Sequence, residues 1–495
     1  MTILDGFMIV FQAQNILLLV GGVVLGIVVG VIPGLTASLA ISLLLPVTFG
    51  VPAVASLNML IGIYIGGCYG GSITAILIRT PGTPGAAATV MDGYPMAQKG
   101  EAGRAIGIAT FCSSMGGLIS CTFLIFLSPT LSRFALRFSS AEYFALALFG
   151  LTVVFSVSGK SLLKGAIAGC LGLLINTVGM DPLVGVQRFT FGIRNLMIGF
   201  PLLPTIIGIF AIPEAIRLFE GKKSETVAAT TEVGRIIPRL ADIIALKWTI
   251  LKSSIIGVFI GTLPGPGANV AGFVSYAEAR RTSKHPELFG TGIIEGVAAP
   301  ETANSAVSGG NLIPTLSLGV PGDGVMAILL GAFTIQGLTP GPMLFRDRPD
   351  IIYSIFSGAI VSHLIVLIAG LFLAFFLVRI STVSKITLAP IIAIMAMIGS
   401  YAAESSIAHM TITVVFGVVS YFLEKMSFPM PPVVLAIVLG TLAENNFRIA
   451  LIRSRGDWGI FVHSPIAVFF LSVAVFSIAL SLYRAYKASR NTKTT

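Results

Sequence analysis

The sequence predicts an all-α polytopic membrane protein with about 12 transmembrane helices, two re-entrant hairpins and two inverted structural repeats. Three observations carry that class. Of 495 residues, 55% are hydrophobic and only 11% are charged, with mean hydropathy +0.95; soluble domains carry charge on about a quarter of their residues. Apolar runs that can cross hydrocarbon, at roughly 20 residues each, recur from Ile16 to Leu482. Two blocks marked by Gly and Pro recur in the same order in both halves of the chain.

Charge placement orients the chain. The first 78 residues hold one charged side chain, Asp5, whereas Arg484 to Thr495 carry four bases and no acid. A basic flank beside a span stays cytoplasmic, so the C-terminus reads as inside. The net charge of +10 is scattered over loops and does not mark nucleic-acid binding. The N-terminus lacks a basic region followed by a cleavage site and reads as an uncleaved first span. Cys68, Cys112, Cys121 and Cys170 lie in apolar stretches without CxxC pairing, and read as buried free thiols.

The segment from Glu220 to Lys247 holds five bases and four acids and reads as a polar linker. It divides the chain into a first membrane repeat (1–219), a linker (220–248), a second membrane repeat (249–445) and a terminal helix with a basic tail (446–495). An inside linker and an inside C-terminus need an even number of crossings between them, whereas inversion needs an odd number per repeat. An extra span, Ser464 to Leu482, reconciles the two.

The repeat is legible directly. Gly26 to Ala40 reads GIVVGVIPGLTASLA and Gly257 to Ala271 reads GVFIGTLPGPGANVA, with six of fifteen positions identical at a constant offset of 231. Chance would give roughly one. Downstream, YGGSITAILIRTPG (Tyr69 to Gly82) and SGGNLIPTLSLGVPG (Ser308 to Gly322) each carry Gly-Gly, a small polar residue, an apolar stretch and Pro-Gly.

A helix in hydrocarbon is normally unbroken, because each backbone N–H and C=O must find a partner. Pro-Gly inside an apolar run frees carbonyls that suit a cation, and the next half-helix offers N–H groups and a positive dipole end that suit a carboxylate. Pro33-Gly34 and Pro264-Gly265 therefore mark candidate ion sites, with Ser38 and Asn269 at matching positions as polar ligands or as side chains bonded to their own helix. Gly22 and Gly26 fit helix packing instead.

Candidate substrate contacts lie in the second pair of blocks: Gly71, Ser72, Arg79 and Thr80 in the first half, Gly310, Asn311, Gly322 and Asp323 in the second. Arg79 precedes Thr80-Pro81-Gly82, where its guanidinium either grips a substrate carboxylate with two parallel bonds or faces water and headgroups. Asp323 either ligates a cation or proton or caps the next helix. Glu301, among Thr302, Asn304 and Ser305, is an intramembrane carboxylate for sodium or a proton, or a helix-start residue after Pro300. Asp92 reads as a turn or cap residue.

Enzyme motifs do not fit. Gly-Val-Pro-Gly-Asp is not GxGD, the four histidines form no HExxH cluster, and no Walker pattern occurs. No cofactor is expected beyond a coupling Na⁺ or H⁺.

Three stretches, GIVVGVIPGLTASLAISLLLPVTFG, YGGSITAILIRTPGTPGAAATVMDGYPMAQKGEAGRAIGIA and GVAAPETANSAVSGGNLIPTLSLGVPGDGVMAILLGAFTIQGLTPGPMLF, resemble the large membrane subunit of the tripartite tricarboxylate transporters. The likeness runs from about Gly21 to Leu344. It implies an ion-transporter-superfamily-like fold with elevator-like movement, and import of di- and tricarboxylates or related organic acids on a sodium or proton gradient. It also implies a periplasmic solute-binding protein, a small four-span subunit, and a bacterial inner-membrane location. Arg79 departs from the small polar residue usual at its position. The competing readings are an ion channel or ion-only antiporter, which needs no binding protein, and a membrane scaffold.

Overall fold

The computed structural model describes residues 1–32, 34–157, 161–220, 234–265, 267–372, 376, 385–404 and 406–491. Helices dominate, since a segment in hydrocarbon must satisfy its own backbone. The first half contains α1 (Ile3–Val10), α2 (Ala13–Val31), α3 (Ala37–Leu44), α4 (Ala53–Ile78), α5 (Val90–Gln98), α6 (Ala102–Ala135), α7 (Ser140–Val157), α8 (Leu162–Asn176) and α9 (Leu202–Glu220). The second contains α10 (Leu240–Thr262), α11 (Gly267–Thr282), α12 (Ile294–Leu318), α13 (Gly324–Ile335), α14 (Pro342–Asp347), α15 (Pro349–Phe372), α16 (Lys385–Glu404), α17 (Ile407–Lys425) and α18 (Pro431–Arg453). The short α19 (Ile460–His463) and α20 (Pro465–Asn491) close the chain. A two-stranded antiparallel pair, Gly179–Met180 with Gln187–Arg188, lies between α8 and α9.

Among the described residues, eight helices are long and apolar enough to cross a membrane: α2, α4, α6, α9, α10, α15, α17 and α18. Six shorter apolar helices accompany them. Helix α12 is missing from the eight because Glu301, Asn304 and Asn311 dilute its hydropathy. It is nonetheless fully enclosed, with every residue from Gly296 to Leu318 buried. Helix α4 is its match, buried from Ala55 to Leu77. Both have apolar and small residues all round, the composition of helices surrounded by other helices.

Glycine lets each of these central helices touch its neighbour. A Cβ at Gly22 or Gly26 of α2 would lie 2.3 Å from a carbonyl oxygen of α4, that of Met59 or Ile63. Small residues at these positions are thus required by packing. The next turn brings Gly30 against Gly70, and in the second half Gly261 of α10 against Gly310 of α12, with the hypothetical Cβ 3.0 Å from the facing Cα in each case. Matching the blocks on Gly-Gly pairs Ser72 with Asn311. The contacts instead pair Gly70 with Gly310, and so Gly71 with Asn311. The second block is one residue longer, and packing against the preceding helix sets the alignment.

The free thiols divide. Cys68, Cys112 and Cys121 are buried, as expected, but Cys170 is exposed. It lies on α8, whose buried residues are Gly165, Ala168, Gly169 and Gly172, so the opposite face is left uncovered.

Candidate functional site

The helices are interrupted at both predicted places. Helix α2 ends at Val31 and α3 begins at Ala37; α10 ends at Thr262 and α11 begins at Gly267. Pro33 lies outside the described residues. Gly34 and Gly265 turn the chain with φ of +98° and +106°, a region that favours glycine. Gly34 is exposed, and a Cβ there would lie 3.3 Å from Glu214 Oε1. Pro264 is buried, and the Gly265 N–H donates to the Gly322 carbonyl at 2.7 Å. The first break of the second half is therefore bonded to its second.

Helices α4 and α12 end alike. Arg79 caps α4 and Gly319 caps α12, both left-handed, with φ of +56° and +71°. The Thr80 N–H donates to the Thr74 carbonyl and the Val320 N–H to that of Pro314, each at 3.4 Å. The chain then doubles back, and the Gly82 N–H reaches the Gly71 carbonyl at 3.2 Å. Only a bare Cα fits there: a Cβ at Gly82 would fall 2.0 Å from the Gly30 carbonyl oxygen, and one at Gly322 would fall 2.5 Å from Asn311 Oδ1.

Around the second end stands a polar cluster drawn from both halves, with Tyr64 and Asn311 buried and Asp323 half-buried. Asn311 Nδ2 donates to Asp323 Oδ2 at 2.7 Å and to the Tyr64 oxygen at 2.9 Å, and the Tyr64 hydroxyl donates to Asp323 Oδ2 at 3.3 Å. Asp323 Oδ1 accepts the Met326 N–H at 2.9 Å. Asp323 is thus the cap of α13 and also the acceptor of a cross-half network. A second cluster surrounds Glu301, which is fully buried: Thr89 donates to Oε1 at 2.5 Å and Ser113 to Oε2 at 3.1 Å. Helix α12 begins at Ile294, well before Pro300, so the helix-start reading of Glu301 does not hold.

Near these clusters, among the described residues, Asn304 Oδ1, Asn311 Oδ1 and Thr83 Oγ1 are buried without a hydrogen-bond partner. Asn304 spends its amide on the Cys68 carbonyl at 2.9 Å. Unmatched carbonyl-type oxygens are acceptors for a cation or for water. Among the described residues no three His, Cys, Asp or Glu side chains converge as a metal cluster.

The other expected residues sit apart from these clusters. Arg79 and Thr80 are exposed, with the Arg79 guanidinium 5.8 Å from the Tyr94 ring centroid. Ser72 is buried and bonds back to the Tyr69 carbonyl at 2.8 Å. Gly71 packs under Thr83 and Gly310 against the Val258 carbonyl. Ser38 is half-buried and Asn269 exposed. Asp92 caps at long range: its carboxylate accepts the N–H groups of Gly290, Gly292 and Ile293 and the Tyr276 hydroxyl, the latter at 2.7 Å. It thereby holds the turn that enters α12. Tyr64, Thr89 and Ser113 escaped sequence reasoning. Each is a hydroxyl in a mostly apolar run, with no motif to set it apart.

Known proteins resemble this chain over stretches from about half to nearly all of its length. A family model described as the tripartite tricarboxylate transporter TctA family matches residues 16–435. The chain is 38% identical over 486 residues to an uncharacterized 52.8 kDa protein in the TAR-I ttuC' 3' region of Agrobacterium vitis, covering 98% of this chain and 97% of that protein. It is also 37% identical over 235 residues to an uncharacterized protein in the TAR-II ttuC' 3' region of the same organism, covering 48% of this chain and 97% of that protein.

Proposed function

The chain belongs to the tripartite tricarboxylate transporter TctA family, and from that membership we propose that it is the large permease subunit of a binding-protein-dependent importer of di- and tricarboxylates or related organic acids. In this reading it works in the bacterial inner membrane on a sodium or proton gradient. A periplasmic solute-binding protein delivers the acid, and a small four-span subunit completes the complex. Segments 1–219 and 249–445 form two inverted repeats within about 12 crossings, with re-entrant hairpins that turn just after Arg79 and Gly319. A terminal span leaves the C-terminus cytoplasmic.

The observation that carries the proposal is the meeting of the halves at the interrupted helices, where Tyr64 of α4 bonds Asp323 and Asn311 beside the Gly265–Gly322 link. Interrupted helices enclosed in protein supply, without extra side chains, what a carboxylate and a cation need: free N–H groups at a positive dipole end and free carbonyls. A scaffold would have no use for them. The substrate is assigned to Gly71, Ser72, Arg79 and Thr80 with Gly310, Asn311, Gly322 and Asp323. The coupling ion is assigned to Gly34, Ser38, Pro264, Gly265, Asn269 and Glu301, together with the unmatched Asn304 oxygen.

The test is uptake of radiolabelled citrate, malate and tartrate into proteoliposomes. Accumulation is expected only when this chain, the small subunit and the binding protein are all present and a sodium or proton gradient is imposed. Full-rate uptake by the purified chain alone, or ion flux indifferent to any acid, would replace the importer with a channel or an antiporter.

A further inference from the structure

We propose that the connection between α8 and α9 is a lipid anchor, seated in the headgroup–acyl boundary of the leaflet at the C-terminal end of α8. Helix α8 has 15 residues, a length of about 22 Å, whereas the hydrocarbon core is about 30 Å thick. The chain therefore leaves its helix before it clears the membrane. The connection it then enters is strongly apolar and uncovered: Val184, Val186, Phe189, Phe191, Ile193 and Ile198 are all exposed, Phe191 at 82% and Ile198 at 71%. Leu174, in the last turn of α8, is exposed as well, so the helix end that feeds the connection is apolar on its outer face too.

An irregular segment enters the interface more readily the more of its backbone is already paired, and much of this connection is. Strand Gly179–Met180 pairs with Gln187–Arg188, the Met180 N–H reaches the Met197 carbonyl at 2.9 Å, and the Asp181 N–H reaches that of Val186 at 2.9 Å. The Ile193, Leu196 and Met197 N–H groups close turns of their own. Charges are sorted to match. Arg188 bonds inward to Glu444 at 2.5 Å and Arg448 to Asp181 at 2.6 Å, which clamps the connection to α18, while Arg194 stays exposed, a cation that a lipid phosphate would attract. Phe189 and Phe191 hold φ of +50° and +49°, a costly conformation for an aromatic residue. The connection from α17 to α18 spans only Met426 to Met430, so joining two such helices does not itself require this apolar excursion.

The test uses the full chain in phosphatidylcholine liposomes, with Trp248→Phe and Trp458→Phe leaving one reporter, Phe191→Trp. Its emission should be blue-shifted, should be mostly lost when the lipids carry bromine near the carbonyl end of the acyl chain, and should resist aqueous iodide. Ile198→Trp should behave alike, which guards against a fault peculiar to one variant. Quenching by iodide with none by bromolipid would overturn the anchor in favour of a solvated loop. Resistance to both quenchers would overturn it in favour of a protein-covered surface, contributed by a second copy of this chain or by another subunit.

Discussion

The Tyr64 hydroxyl, on a helix of the first half, donates to Asp323 Oδ2 at the cap of a helix in the second half, 3.3 Å away. Asn311 donates to both oxygens. Tyr64→Phe should cost about 1–2 kcal/mol, read as a lower melting temperature in detergent. A cycle with Asp323→Asn should show the two losses to be non-additive. Additivity within about 0.5 kcal/mol would mean that the contact carries no coupling between the halves.

Glu301 is held by two hydroxyls inside α12. Glu301→Gln preserves its volume and removes its charge. Uptake should fall on the order of tenfold or more, and its dependence on the sodium or proton gradient should flatten. Thr89→Val should give a milder loss in the same direction. Unchanged ion dependence in the Gln variant would place the coupling ion elsewhere.

Arg79 occupies the left-handed cap that Gly319 occupies on α12. Arg79→Gly should stabilise the fold by about 1 kcal/mol, because it relieves that conformation. If Arg79 grips a substrate carboxylate, Arg79→Gln should lower apparent affinity by about one to two powers of ten, with Arg79→Lys recovering part. Unchanged affinity in the Gln variant would leave Arg79 as a solvated residue stacked near Tyr94.

Close packing makes a paired prediction for glycine. A Cβ at Gly66 would lie 2.2 Å from the Val23 carbonyl oxygen, whereas one at Gly21 meets nothing within 4 Å. Gly66→Ala should destabilise by about 1–3 kcal/mol. Gly21→Ala, gaining helix propensity, should be neutral or stabilising by up to about 1 kcal/mol. Thermal unfolding of the two variants side by side decides the point.

Asp181 gives a pH prediction outside the spans. The Arg448 guanidinium holds its carboxyl down to about 2, below the roughly 3.9 of an unfolded aspartate. A depressed value means that its contribution is complete above about pH 4 and is lost as pH falls through about 2. Asp181→Asn should thus melt lower than the parent at pH 7. That gap should shrink below about pH 4, and a gap constant down to about pH 2 would exclude the ion pair as its source.

Membrane class, the two helix interruptions and the paired Gly blocks were all legible in the sequence, because hydrocarbon imposes its demands residue by residue. Apolar runs, and Pro-Gly within them, answer to the local solvent and need no tertiary information. Partnership was not legible. Nothing in the chain order announces that Asp92 caps a turn near Gly290, that Thr89 and Ser113 reach Glu301, or that Tyr64 meets Asp323. Hydroxyls, amides and carboxylates separated by up to 259 residues become neighbours only when α4 and α12 are buried together. Inside that low-dielectric space each polar atom must take whichever partner packing brings within reach. The one-residue shift that makes Gly71 the repeat counterpart of Asn311 has the same origin: helix-to-helix contact at glycine decided the alignment, not the likeness of the letters.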